Sequence, residues 1–291
     1  MFKFAKSPRP HGRRAALLAL SALSLSLVSL PSQAGDTLAK VMSEKKLTVG
    51  YIPYDDLTRR DLASGKVVGF FPDLIEAIAK EVGIKPENIT YVATDWSNFA
   101  VGLQAKKYDL SIAGTFKTIP RASAAAFTRP IFYLGNSAVI RKGDPKLAKA
   151  KSVMDLDKPD VTVSVVSGEQ SHDFVKSNFK NAKVTVIKSA DLATGLMEVT
   201  AKRADVALSD HYVVRSFVAK NPGTADLFAA QPWNVQPIAW AVRADDSELL
   251  NFLNASIDYL ESTGRLKALM NKKEYADVPF MTVPLKLEAA N

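Results

Sequence analysis

Apolar and polar positions alternate along this chain in two rhythms. KLTVGYI (46–52), ITYVA (89–93) and DLSIAG (109–114) are short runs rich in β-branched residues, the pattern of buried strands. Between them, PDLIEAIAKEVG (72–83) spaces Leu74, Ile75, Ile78, Ala79 and Val82 as one helix face, behind a proline start and before a closing glycine. WSNFAVGLQAKK (96–107) repeats the helical period. The alternation resumes with VTVSVV (161–166), a helix over 170–179, KVTVI (183–187), a helix over 190–202, DVAL (205–208) and a helix from Asp210. SAVIRKGDPKLAKAKS (137–152) reads as a strand entering a basic linker, IAWAVR (238–243) as a returning strand, and two helices close the chain.

Two β-α-β-α-β series imply an α/β fold with two parallel sheets, each covered by helices on both faces. The expected division is a first lobe from 35–132 plus 238–291 and a second from 137–233, with crossings near 133–136 and 234–237. Two lobes joined twice leave a cleft, and ligands of such sheets sit at the carboxyl ends of the strands.

The first 34 residues change the bulk picture. Lys3, Lys6, Arg9, Arg13 and Arg14 precede the uncharged run AALLALSALSLSLVSL (15–30), and Ser32 and Ala34 fit a cleavage site. This predicts a secretory signal peptide over 1–34, since a 16-residue run with four serines is short for a membrane span of about 20 residues. Arg13-Arg14 also suggests the twin-arginine route. Loss of the leader lowers the formal charge from +8 to +3 over 257 residues. No basic stripe with interleaved aromatics remains, so no nucleic-acid partner is expected. The absence of cysteine excludes disulfides, cysteine-ligated zinc, a thiol nucleophile and a lipid-modified cysteine. The expectation is a periplasmic monomer without a lipid anchor.

Candidate chemistry sits where strands meet the cleft. Arg121 follows the Ala113-Gly114 turn of LSIAGTFKTIPRA, where a guanidinium offers an anion two parallel hydrogen bonds that lysine cannot reproduce. Asp210 holds the matching place after DVAL in the other lobe. One cation and one anion from opposite lobes form a minimal grip on a free amino acid. Arg121 as a surface charge and Asp210 as a helix N-cap are the alternatives.

Several runs, in order, resemble the family 3 extracellular solute-binding proteins: LTVGY, GKVVGFFPDLIEAIAKEVG, DWSNFAVGLQAKKYDLSIAG, TIPRASAAAFTRPIFYLG, SGEQSHDFVKSNF and KRADVALSD. The resemblance implies a type II periplasmic binding protein that delivers an amino-acid-like ligand to an inner-membrane ABC permease, without cofactor, metal or catalytic residue. By position it implies that Arg121 clamps the ligand carboxylate, that Asp210 receives its ammonium, and that Trp96 packs over its side chain unless it serves the core. It also implies backbone contacts at Ala113 and Gly114, with Thr118 as a supporting hydroxyl.

Three departures stand out. Phe116 replaces a family hydroxyl residue and keeps only its N–H as a donor. Glu169 replaces a threonine, with Gln170 beside it; either Glu169 turns away as a first-turn residue of the helix, or the ligand brings a cationic or donor group to it, the reading preferred here. Tyr54, Asp55 and Asp56 occupy a loop that is usually aromatic, and the two acids either face the ligand or pair with Arg59 and Arg60. His172 and His211 show no metal spacing and read as solvated. Arg129, Trp233 and Gln236 lie near the crossings, with Trp233 either bordering the cleft or packing. A rival function is an exported enzyme resembling cyclohexadienyl dehydratase. The catalytic glutamate of those enzymes falls at His172, so Glu169 must stand in, turned inward with a raised pKa. A periplasmic ligand sensor is a third reading.

Overall fold

A computed structural model describes Met1 and residues 36–282. The leader and the last nine residues, and with them the signal-peptide expectation, lie outside the described residues. In chain order the helices and strands are α1 (Asp36–Glu44), β1 (Leu47–Tyr51), β2 (Arg59–Arg60), β3 (Val67–Val68), α2 (Phe70–Glu81), β4 (Ile89–Ala93), α3 (Phe99–Gln104), β5 (Leu110–Phe116), α4 (Ile119–Ala122), β6 (Ala126–Phe127) and β7 (Phe132–Arg141). There follow β8 (Thr162–Val166), α5 (Gln170–Asn178), β9 (Lys183–Ile187), α6 (Ala193–Thr200), β10 (Val206–Asp210), α7 (His211–Lys220), β11 (Thr224–Asp226), β12 (Trp233–Val242), α8 (Ser247–Ser262) and α9 (Arg265–Met270).

The two parallel series belong to one hydrogen-bonded sheet rather than two, in the order β4-β1-β5-β12-β7-β10-β8-β9. Within it, β4, β1 and β5 are mutually parallel, as are β10, β8 and β9. The antiparallel pair β12 and β7 joins the blocks. Each of these two strands is ten residues long and serves both sides. The first part of β7 pairs with β12 and its remainder with β10, while the end of β12 pairs with β5. Length explains the fusion, because a strand that crosses between blocks carries its backbone donors from one ladder into the next.

Local chemistry explains where elements depart from the periodic pattern. The Asp95 carboxylate accepts from the Ser97 and Asn98 N–H groups at 2.9 and 3.0 Å, a side-chain turn that competes with helix and delays α3 to Phe99. Trp96 is thereby left outside the helix. The short α4 is capped by Thr118, whose hydroxyl accepts from Arg121 N at 3.4 Å, with Pro120 in its first turn. The pattern did not single out α1, which sets buried Val41 into the core and packs beside α8.

The first block is packed by an aromatic group around α2. Phe71 stacks on Phe132 at 5.9 Å and meets Trp240 edge-on at 6.2 Å, all three buried. Gly114 permits this packing. Its φ is +64°, and a Cβ there would lie well inside contact distance of the Phe71 ring. Left-handed backbone costs a non-glycine residue about 1–2 kcal/mol, and overpacking adds about 1–3 kcal/mol. Gly114→Ala should therefore lower unfolding stability by about 2–4 kcal/mol in urea titrations. Gly83→Ala has a similar φ of +74° but open space around its Cβ, and should lose only about 1 kcal/mol.

Candidate functional site

The site is assembled where the carboxyl ends of β1, β5, β8 and β10 face one another. The end of β5 is prepared by unequal strand lengths: β1 pairs with β5 only at Leu110 and Ser111, so the backbone from Ile112 to Phe116 runs on past its parallel neighbour. Ala113 and Gly114 lie on this stretch, and Ala113 and Phe116 are buried. The α4 turn then directs Arg121 inward, although its neighbour Ile119 is fully exposed.

Arg121 is 8% exposed. Its guanidinium donates to Phe116 O at 3.2 Å and, across the cleft, to Gly168 O at 2.7 Å. The surface-charge alternative is therefore excluded. Burial pulls its pKa down, while the nearby charges of Asp173 and Glu169 and the Tyr54 hydroxyl pull it up. No carboxylate pairs directly with it among the described residues. The Phe116 carbonyl, rather than its N–H, is the group engaged.

Two carboxylates face this cation from the second block, each set by a helix N-terminus. Glu169 caps α5, its Oε2 accepting from Ser171 N at 2.7 Å, and Asp210 caps α7, its Oδ1 accepting from Val213 N at 3.0 Å. Glu169 is 3% exposed and Asp210 fully buried. The other oxygen of each, Glu169 Oε1 and Asp210 Oδ2, has no hydrogen-bond partner. Asp210 as cap and Asp210 as cleft residue are thus one geometry. Glu169 corrects the first-turn reading: it stands one residue before the helix and points inward.

Burial raises the Glu169 pKa to about 8, aided by the Asp210 charge and opposed by the Ser171 hydrogen bonds and Arg121. Burial raises Asp210 to about 7, against the Val213 N–H and the Tyr54 hydroxyl. Tyr54 is near enough to favour the charged form of Asp210 without reaching hydrogen-bonding geometry with Oδ2.

Aromatic rings close the walls. Tyr54 lies edge-on to Trp96 at 5.4 Å and tilted against Tyr212 at 6.2 Å. Trp96 Nε1 donates across the cleft to Ala190 O at 3.0 Å. The Tyr212 hydroxyl accepts from Asp56 N and donates to Asp56 Oδ2, both at 3.1 Å. Gly168 permits close approach, since a Cβ there would stand 2.6 Å from Ser97 N. At the mouth lies a cleft of about 660 Å³ lined by Asp95, Ser97, Asn98, Ser167 and Lys188. A groove of about 840 Å³ around Arg129, Tyr133 and Tyr275 shares none of these residues and contains no buried charged side chain.

Other sequence expectations resolve differently. Thr118 caps α4. Gln170 is buried beside Glu169, with Oε1 unpartnered. Asp56 pairs with Arg59 at 3.4 Å, so it serves both Tyr212 and the surface. Arg129 does not border the cleft but pairs with Asp258 and Glu261 on α8. Trp233 packs against Phe174 at 4.4 Å, which favours the packing alternative. His172 and His211 are half-buried. His172 Nδ1 accepts from Gly168 N at 3.3 Å, and the half-buried His211 has its pKa lowered chiefly by burial. Tyr212, Asp173, Ala190 and Ser167 were missed. Tyr212 alone carried a signal, following the singled-out Asp210 by two residues.

Comparison with known proteins follows from this geometry. A probable amino-acid ABC transporter-binding protein of Haemophilus influenzae is 27% identical over 246 residues, 82% of this chain and 88% of that protein. An L-arginine-binding protein of Pseudomonas aeruginosa is 24% identical, over 90% and 97% of the two chains. A crystal structure of an ancestral amino acid-binding protein, described as a precursor of cyclohexadienyl dehydratase, superposes with a TM-score of 0.70 at 30% identity, covering 80% of this chain and 97% of the other. The fold is that of the type II periplasmic binding proteins. Residues 47–273 match the bacterial extracellular solute-binding proteins, family 3, and the chain belongs to that family.

Proposed function

We propose that the chain is the periplasmic receptor of an ABC importer, capturing an amino acid or a related amine- and carboxylate-bearing compound by hinge closure. The observation that carries this reading is a buried Arg121 on one block, held by carbonyls alone, opposite Asp210 and Glu169 on the other, each with one oxygen unpartnered. Arg121 takes the ligand carboxylate in place of the Gly168 carbonyl, and Asp210 Oδ2 takes the ammonium. Trp96 and Tyr54 cover the remainder. The hinges are 133–136 and 234–237, where β7 and β12 pass between blocks. A zwitterion that satisfies both blocks at once favours the closed form by its differential affinity. Export by the leader and service as a monomer complete the proposal.

The amino acid-binding relatives named above, spanning most of this chain, support capture over catalysis. One observation favours a second reading: Glu169 does point inward with a raised pKa, the condition for a general acid. Incubation with prephenate or arogenate separates the two. The receptor reading expects no aromatic product, and product lost in Glu169→Gln would establish the enzyme.

Thermal-shift measurements against the proteinogenic amino acids and ornithine test the site. At least one should raise Tm, by several degrees when present at about 100 times its Kd. Arg121→Ala and Asp210→Ala should each abolish the shift. Two variants that respond like the wild type would refute the assignment.

Closure also links stability to pH. Glu169 and Asp210 have folded pKa values of about 8 and 7, above their ordinary 4.5 and 3.8. The folded state therefore binds more protons than the unfolded one between those limits, and their contribution is lost as pH rises through 7 and 8. The ligand-free wild type should lose about 3–4 kcal/mol between pH 5 and 8 relative to Glu169→Gln, measured by urea unfolding of both proteins.

A further inference from the structure

The charges buried at the cleft do not balance. One guanidinium, Arg121, faces two carboxylates, Glu169 and Asp210, and each carboxylate has spent one oxygen on a helix cap and kept one unpartnered. A ligand with one carboxylate and one ammonium answers Arg121 and a single acid. The other acid then remains in a site that excludes water. An unpaired buried charge is strongly unfavourable, so such a group either stays neutral or acquires a cation.

We infer that Glu169 is the specificity-determining residue of this cleft, and that its free oxygen receives a second positive group on the ligand, a guanidinium or an amine. The inference rests on the receptor reading above and deepens it. Asp210 is the acid assigned to the ammonium because it ends β10 beside Tyr54, whose hydroxyl favours its charged form. Glu169 is left for the side chain of the ligand. It follows Gly168, whose carbonyl already draws in Arg121, so the cation that reads the carboxylate and the acid left for the side chain meet at one turn.

The groups facing Glu169 fix how the exchange occurs. Asp210 on β10 raises its pKa, while Arg121 on α4 and the Ser171 N–H on α5 lower it. Tyr54, from the loop after β1, feels the charges of both acids. Asp173 and His172 stand one turn along α5, His172 being held by the Gly168 N–H. Before ligand binds near neutral pH, the Glu169 carboxyl keeps its proton. A cationic side chain displaces that proton to solvent, and the ion pair replaces it. Binding of a doubly cationic amino acid thus releases one more proton than binding of its neutral counterpart.

Titration calorimetry with L-arginine and L-citrulline tests this directly, because citrulline keeps the shape of arginine and lacks the charge. The wild type should prefer arginine by at least about thirtyfold, the ratio expected when one partner of a buried charge pair is lost. Glu169→Gln, which can still cap α5, should bring the two ligands within about threefold of each other. Repeated in buffers of different ionisation enthalpy at pH 7, arginine should release about one proton more from the wild type than from Glu169→Gln. Citrulline should release the same number from both. Glu169→Thr serves as a second variant should Glu169→Gln unfold. A wild type that binds citrulline or L-glutamine as tightly as arginine, with dependence on Arg121, would overturn this inference and leave the receptor reading standing. Failure of every amino acid to bind would overturn both.

Discussion

Everything in this cleft depends on a guanidinium removed from water without a carboxylate to meet it. Arg121 is held by two carbonyl oxygens, one from its own loop and one from the opposite block. Carbonyl dipoles replace part of the lost hydration but not a counter-charge, so the arrangement leans on the favourable field of Asp173 nearby. A direct ion pair would be more stable and less useful, since a ligand carboxylate would then have to displace a charged partner. The carbonyl of Gly168 is a weaker competitor, and it lies on the opposite block.

The remaining contacts across the cleft are a few hydrogen bonds and ring edges. Trp96 reaches one carbonyl, Tyr212 clasps one residue, and Tyr54 touches both rings. Such bonds contribute about 0.5–1.5 kcal/mol each between neutral groups and about 1.5–3 kcal/mol to a carboxylate such as that of Asp56. Gly168 sets how near they come, because any side chain there would strike Ser97.

The sheet and helices were legible because β-branched runs and helical spacing bury predictable faces, and Ile89–Ala93 and Lys183–Ile187 begin and end where the pattern placed them. What was illegible arose from side chains acting on backbone. Asp95 delays α3 and so frees Trp96, a competition that apolar periodicity cannot register. The fusion of two sheets into one depends on pairing across nearly a hundred residues of sequence, between β7 and β12. At the site, the inward turn of Arg121 and the seat of Asp210 followed from their positions after strands, while the place of Trp96 came from the family resemblance. The direction taken by Glu169 did not, because a carboxylate before a helix has two good destinations, solvent or cap. Ala190 was hidden for another reason: it matters only through Trp96 on the opposite block.

The two acids show why capping and recognition coincide here. A carboxylate that caps a helix has one oxygen fixed by a backbone N–H, which orders the side chain and sets the second oxygen in place before any guest arrives. The positive end of each helix meanwhile makes a nearby negative charge less costly. A threonine at residue 169 would donate to a guest carboxylate and add no charge. Glutamate there reverses the sign of what that helix end presents, and this reversal is the ground for the cation seat inferred above. The fold tolerates the change because Ser171 N–H still has an oxygen to cap it, and selection falls on the one oxygen left over.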